Sequence, residues 1–357
     1  MAKPTGSACN FSCAYCYYIG KDVLLKKHCG VMSDDILSRY IVQNLRIHGK
    51  DAAVEFAWHG GEPTLCGIDF FRRAVYLQKK YGNGRNIINN LQTNGTLIDE
   101  SWCRFFRDNN FMIGVSIDGP KHLNDIFRKD ASGKGSFAGA KNALALLKKY
   151  GVEYNTLTTV NSANAQYPEE VYEFISGISD HMQFLPVVDG AVQHELTDCS
   201  VTPEAYGEFI CRIFDIWSTR DLGKKFIQIF EATIGNMLGE PAGVCLHEAV
   251  CGHVAVLESN GDLYSCDRYV FDQYKLGNIC EEDLYDLMEK NRPFGISKCS
   301  ILSDECIDCR WLRLCWGGCP KDRFGGTAGK NYLCEGYKMI FARISGSVRF
   351  IKENTYK

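Results

Sequence analysis

The chain has 357 residues and a formal net charge of −3, with acidic and basic residues interspersed. That length supports one large domain plus a smaller one, and the mixed, near-neutral charge gives no reason to expect a nucleic-acid partner. No apolar run approaches the ~20 residues needed to cross a bilayer, and no secretory leader pattern precedes the first cysteines, so a soluble cytoplasmic protein with no membrane partner is expected.

Eighteen cysteines in a chain of this length, with no sign of export, predict free thiols and metal ligands rather than disulfides. Cys29, Cys66, Cys103, Cys199, Cys211, Cys280 and Cys299 are scattered and read as small buried hydrophobes. The rest fall into ligand-like groups. So much free thiol points to a reducing, anaerobic cytoplasm.

The first group is Cys9, Cys13 and Cys16, in Cys-Asn-Phe-Ser-Cys-Ala-Tyr-Cys. Three thiolates this close can hold three irons of a [4Fe–4S] cube and leave the fourth iron open to a small molecule. The alternative is a zinc knuckle lacking a ligand, although zinc sites usually close at four.

Ser33 reads as the N-cap of a helix with the apolar stripe Ile36, Tyr40, Ile41 and Leu45. From residue 50 to about 235, strand-like and helix-like segments alternate, which predicts a parallel sheet wrapped by helices. The strands are Ala53–Trp58, Asn86–Leu91, Phe111–Ile117, Val152–Val160 and Met182–Val188, with a weaker sixth at Lys225–Phe230. Phe137, Ala140, Leu144 and Leu147 form a second helical stripe, and Tyr206, Phe209, Ile210, Ile213 and Trp217 a third.

Polar and glycine-rich motifs follow these strands: His59-Gly-Gly-Glu-Pro63, Gln92-Thr-Asn-Gly95, Asp118-Gly-Pro120, Asn161-Ser-Ala-Asn164 and Asp189-Gly190. In a β/α barrel they gather at the C-terminal rim, where such folds do their chemistry. The pattern predicts an α/β fold over residues 1–235, a partial (β/α)6 barrel. Gly60 and Gly61 let the backbone approach a bound amino acid, whose ammonium their carbonyls can accept. Glu62 adds charge there or orients the loop. Ser116 and Arg128 offer a hydroxyl and a cation after the central strand.

Beyond residue 236 the elements shorten and cysteines become dense, predicting a small domain at 236–357 whose architecture is dictated by metal. Cys245, Cys251 and Cys266 are followed by Cys306-x2-Cys309-x5-Cys315-x3-Cys319 and then Cys334. These suffice for two fully ligated four-iron clusters or for two four-cysteine zinc sites. Asp267, directly after Cys266, is either a turn residue or a catalytic carboxylate.

Taken together, Cys9-Asn-Phe-Ser-Cys-Ala-Tyr-Cys-Tyr-Tyr18, Trp58-His-Gly-Gly-Glu-Pro63, Gln92-Thr-Asn-Gly-Thr-Leu97, Val115-Ser-Ile-Asp-Gly-Pro120, Ser265-Cys-Asp-Arg-Tyr-Val270 and Asn331-Tyr-Leu-Cys334 resemble the anaerobic sulfatase-maturating enzymes. These are radical S-adenosylmethionine (SAM) enzymes with a C-terminal SPASM domain. The resemblance implies a SAM-binding [4Fe–4S] cluster on Cys9, Cys13 and Cys16, and a SAM site lined by Tyr15, Gly61, Ser116, Arg128 and Val188, with Gly60 and Glu62 in the same loop. It implies two auxiliary [4Fe–4S] clusters, one on Cys245, Cys251, Cys266 and Cys319, the other on Cys306, Cys309, Cys315 and Cys334.

The implied reaction oxidises a Cys or Ser in a Cys/Ser-x-Pro/Ala-x-Arg motif of an unfolded sulfatase to Cα-formylglycine. A 5′-deoxyadenosyl radical takes a hydrogen atom from Cβ, and Asp267 is the general base. A low-potential donor such as ferredoxin or flavodoxin is implied as electron source. The alternatives are a SPASM-type peptide maturase that forms thioether or carbon–carbon crosslinks, and a non-enzymatic electron carrier or zinc-stapled binding protein. Cys9 lies so near the start that little chain is left for a strand ahead of the cluster loop.

Overall fold

The computed structural model describes residues 1–18, 30–49, 51–188, 196–324 and 329–355. Cys29 and the Asp189-Gly190 turn lie outside the described residues. Six strands form one sheet in chain order: β1 Val54–Trp58, β2 Ile87–Thr93, β3 Phe111–Ser116, β4 Tyr154–Val160, β5 His181–Pro186 and β6 Phe226–Ile227. β1, β2 and β3 pair in parallel, as do β4, β5 and β6. The expected α/β architecture with six βα steps is present. The sixth strand is far shorter than expected, because Gln228–Met237 is a helix. Its buried residues Ile229, Phe230, Ala232, Thr233 and Ile234 sit at helical rather than alternating positions.

Contacts group the chain into two units. The first comprises Met1–Ser116, Arg128–Tyr154 and Val254–Pro293. Here β1 alternates, with Val54, Phe56 and Trp58 buried and Glu55 exposed. The Trp58 ring meets Tyr40, Phe70 and Phe71 edge-on, and its indole N–H donates to Asn89 Oδ1 at 2.9 Å, so a large aromatic is buried with its polar atom satisfied. Ser33 caps the helix Asp34–Ile47 by accepting from the Ile36 amide. That helix buries Leu37, Tyr40, Ile41 and Leu45.

The same unit holds a small antiparallel sheet, β7 Val256–Leu257, β8 Asp262–Tyr264 and β9 Lys275–Asn278. The chain start ties it to the parallel sheet. Ala2 bridges both Trp58 and Leu257, its amide donating to Ala57 O, while the Lys3 amide donates to Leu257 O, both at 2.8 Å. One residue thus joins the two sheets.

The second unit comprises Ile117–Phe127, Asn155–His253 and Phe294–Lys357. Its helices Pro203–Arg220 and Cys334–Ser345 pack at a glycine crossing. A Cβ on Gly336 would sit 2.3 Å from Pro203 O, and one on Gly207 would sit 2.9 Å from Gly336 Cα. Among the described residues no helix is long and apolar enough to cross a membrane.

Candidate active site and cysteine centres

In the first unit, the ends of β1, β2 and β3 and the loop Cys9–Cys16 converge through backbone hydrogen bonds. The Gly61 amide donates to Gly6 O and the Glu62 amide to Ala8 O, both at 2.8 Å. A Cβ on Gly61 would fall 2.2 Å from Ala8 O and 2.4 Å from Ser7 O. Gly60 has φ +136° and would strike Gly6 O at 2.9 Å. The two glycines are therefore required by close packing of the cysteine loop on the Gly-Gly loop.

Glu62 resolves the choice between adding charge and orienting the loop. Its carboxylate is fully buried and accepts from the Thr64 amide at 3.1 Å, the Thr64 hydroxyl at 2.6 Å, the Thr93 hydroxyl at 2.7 Å and the Asn94 amide at 2.8 Å. Burial pushes its pKa up, and these donors pull it back. Glu62 thus pins the end of β1 to the end of β2.

From there the network reaches the cysteines. Asn94 Nδ2 donates to Asn10 Oδ1 at 2.8 Å and faces Cys9 Sγ at 3.9 Å; Asn10 in turn donates to the Thr96 hydroxyl at 2.9 Å. The Phe11 amide donates to Cys9 Sγ at 3.4 Å, and the Cys16 amide to Cys13 O at 3.0 Å. Cys9, Cys13 and Cys16 act on one another's charge, and burial pushes the Cys9 thiol up to about 12. Three soft thiols in one short loop, with N–H donors at the Cys9 sulfur, are the donor type that suits an iron–sulfur cluster.

Two of the expected SAM-site residues meet: the Arg128 guanidinium lies 5.5 Å from the Tyr15 ring centroid. Ser116, at the end of β3, has its hydroxyl oxygen 3.1 Å from the donating Gln92 Nε2. Val188 is a buried residue of the second unit, directly after β5.

Asp267 follows β8, part-buried, its Oδ1 accepting from the Cys266 thiol at 3.2 Å. Burial opposes its charge, but the Lys3 ammonium and His59 outweigh that and hold its carboxyl below the usual carboxylate range. His59 is pushed down by burial. Its Nδ1 accepts from the Gly60 amide at 2.7 Å, which leaves the proton of the neutral ring on Nε2.

Sequence reasoning missed Lys3 and Glu258, a fully buried ion pair at 3.4 Å, with Lys3 Nζ 4.5 Å from the Tyr18 ring centroid. The Gln-Thr-Asn-Gly segment had been noticed, but nothing in it signalled that Asn94 reaches Cys9.

In the second unit, Cys306, Cys309, Cys315 and Cys334 line one cavity, walled by Trp311 and Phe341. Burial pushes the Cys315 thiol up to about 12. Among the described residues no group of three or more His, Cys, Asp or Glu side chains converges on the position of a single metal ion, here or at Cys9–Cys16. The soft thiols of this cavity fit a cluster. Elsewhere in this unit, Cys245, Cys251 and Cys319 share the buried Lys298 as a charged neighbour. Cys266 belongs to the first unit. Of the scattered cysteines, Cys103 and Cys199 are buried as expected and Cys66, Cys211 and Cys299 are part-buried, whereas Cys280 is exposed on the turn after β9.

A model of the radical SAM superfamily matches residues 4–175. The serine-type anaerobic sulfatase-maturating enzyme of Bacteroides thetaiotaomicron is 44% identical, covering 99% of this chain and 91% of that one. The cysteine-type enzyme of Clostridium perfringens (strain ATCC 13124) is 36% identical, covering 96% and 94%. The solved structure of native anSMEcpe with bound AdoMet and Kp18Cys peptide superposes with TM-score 0.91 at 34% identity, covering 99% of this chain and 98% of that one.

Proposed function

The chain belongs to the anaerobic sulfatase-maturating enzymes of the radical SAM superfamily, and on that premise we propose a mechanism that assigns each step to its own residues. It is a radical SAM enzyme of formylglycine-generating type. The observation that carries the mechanism is the gathering, within one unit, of the Cys9–Cys16 loop, the Gly60-Gly61-Glu62 loop and Asp267.

Cys9, Cys13 and Cys16 would hold the cluster that binds SAM. Tyr15, Gly60, Gly61, Ser116, Arg128 and Val188 would line the SAM site, while Glu62 holds the loop in place from behind. When bound and reduced, this pair supplies a 5′-deoxyadenosyl radical that removes a hydrogen atom from the Cβ of the target residue. Asp267, ionised, accepts the proton of the substrate thiol or hydroxyl. Loss of one hydrogen atom, one proton and one electron converts Ser to the aldehyde and Cys to a thioaldehyde, which water hydrolyses.

Cys245, Cys251, Cys266 and Cys319 would hold one auxiliary cluster and Cys306, Cys309, Cys315 and Cys334 another, three clusters in all with the SAM-binding one. Such clusters would supply an acceptor for the remaining electron. The substrate is an unfolded sulfatase segment, and ferredoxin or flavodoxin supplies the reducing electron in the cytoplasm. The boundary near residue 235 separates the barrel from the cluster domain.

The test is anaerobic: protein reconstituted with iron and sulfide, SAM, a reductant, and paired sulfatase-motif peptides bearing Cys or Ser, followed by mass spectrometry. A hydrazide-reactive aldehyde formed in step with 5′-deoxyadenosine is the expected result and gives the residue preference. Deoxyadenosine with a crosslinked peptide would favour the crosslinking maturase, and intact SAM with all clusters present would overturn the mechanism.

A further inference from the structure

Lys298 is 1% exposed, yet its ammonium has no carboxylate partner among the described residues. Its Nζ donates to the carbonyls of Cys245 at 2.6 Å and Leu246 at 3.1 Å, and to that of Glu248. Three carbonyls satisfy the three N–H donors but leave the charge itself uncompensated. A buried charge in that state is heavily disfavoured.

Burial lowers the Lys298 pKa, and the cysteines that act on its charge are Cys251, Cys245, Cys319 and Cys315. The Cys251 amide also donates to Gly295 O at 3.3 Å, one helical turn before Lys298. Arg323, also buried, donates to the carbonyls of Gly317, Ile301, Lys298 and Trp316, and its charge too acts on Cys251. Lys298 thus acts on Cys245, Cys251 and Cys319 while its own N–H groups are directed at backbone, and Arg323 adds a second positive charge near Cys251. A four-iron cluster with four thiolate ligands is a net anion and becomes more negative on reduction. It is the counter-charge that this pocket lacks on its own.

We propose that Lys298 is the built-in counter-ion of the auxiliary cluster assigned to Cys245, Cys251 and Cys319, and that it raises the reduction potential of that cluster. The inference rests on the auxiliary-cluster reading above. A fixed positive charge stabilises the more negative, reduced form, and net charge is one of the levers that set such potentials. Lys298 is a positioning and tuning residue. It touches backbone, not substrate.

The experiment is an EPR-monitored redox titration of the full reconstituted chain, with iron and sulfide counted, for wild type, Lys298→Met and Lys298→Arg. In Lys298→Met, one auxiliary cluster is expected to lose at least about tenfold in its reduced-to-oxidised ratio at fixed potential. That corresponds to about 59 mV for one electron. The SAM-binding cluster should not move, and Lys298→Arg should stay within about threefold of wild type. An unshifted Lys298→Met with full iron overturns the inference, and so does a Lys298→Arg that falls as far as Lys298→Met. If Lys298→Met fails to retain the cluster, Lys298→Arg decides: full iron at the wild-type potential supports the charge role, and loss of iron overturns it. Wild-type protein that binds iron for only one cluster fails at the earlier step, and the iron count separates that failure from this one.

Discussion

Asp267 sits one residue after Cys266 and within the electrostatic reach of the Lys3 ammonium, which holds its pKa down against burial. Asp267→Asn preserves its shape and removes the basic oxygen. Aldehyde formation should fall at least ~100-fold, the usual contribution of a positioned base, while SAM binding is unchanged. Mass spectrometry of the peptide alongside a SAM-binding titration reads both, and wild-type aldehyde yield from the variant would remove Asp267 from the reaction. Asp262 offers a separate check, on stability. Burial would raise its pKa, but the Lys275 ammonium at 2.7 Å and the amides of Asn278 and Asn260 at 2.8 and 2.9 Å outweigh burial and lower it. A depressed carboxylate stabilises the fold above the ordinary aspartate range, and that contribution is lost as pH falls through its lowered folded value. The Tm of Asp262→Asn should therefore lie below wild type near neutral pH, with the gap closing as pH falls below the ordinary aspartate range. A gap independent of pH would exclude this ionic contribution.

At the scale of elements, the site depends on how tightly loops pack rather than on any one helix or strand. Gly61 is the sharpest case, since a methyl group there would overlap the Ala8 carbonyl. Gly61→Ala must push the Cys9–Cys16 loop away from the end of β1, and neither side is a flexible side chain that can give way. The expected outcome is loss of the cluster bound by that loop, with the parallel sheet intact. Iron content and the SAM-perturbed EPR signal would fall while far-ultraviolet circular dichroism stays unchanged. Retention of both signals would mean that the loop tolerates the shift. The Glu62 carboxylate and its four donors fix the loop after β1 to the end of β2, so that loop has little freedom to retreat.

On the scale of the whole molecule, the two units draw their stability from different sources. The first has an aromatic core running from Tyr40 through Trp58 and Phe71 to Phe111. Over residues 304–324 and 329–334 the second has short helices, tight turns and four thiols on one cavity, so a metal cluster bound there, as proposed, would contribute folding energy. Cys315→Ala should cost about a third of the iron and lower the Tm of the loaded protein well below that of a surface substitution. Calorimetry paired with iron analysis measures this, and full iron with an unshifted Tm would show that the cavity holds no cluster.

Much of this was legible in one dimension. Cysteine spacing, strand periodicity and the motifs after β1, β2 and β3 are local properties, written in consecutive residues. They predicted the α/β sheet, the chemistry and the cysteine groups. Other features come from residues far apart in the chain, and only tertiary packing decides those. Ala2 joins the two sheets because it pairs with both Trp58 and Leu257. Glu62 proves to be a brace because Thr93 and Asn94 fold back onto it, and Gly61 is needed because Ala8 lies against it. Lys3 finds Glu258, and Lys298 finds the loop at Cys245–Glu248, across separations that no spacing rule covers. Ligand identity follows from the type and local spacing of side chains, which sequence states outright. Which buried charge faces which partner depends on the packing of distant segments, and the sequence of either segment alone carries no trace of it.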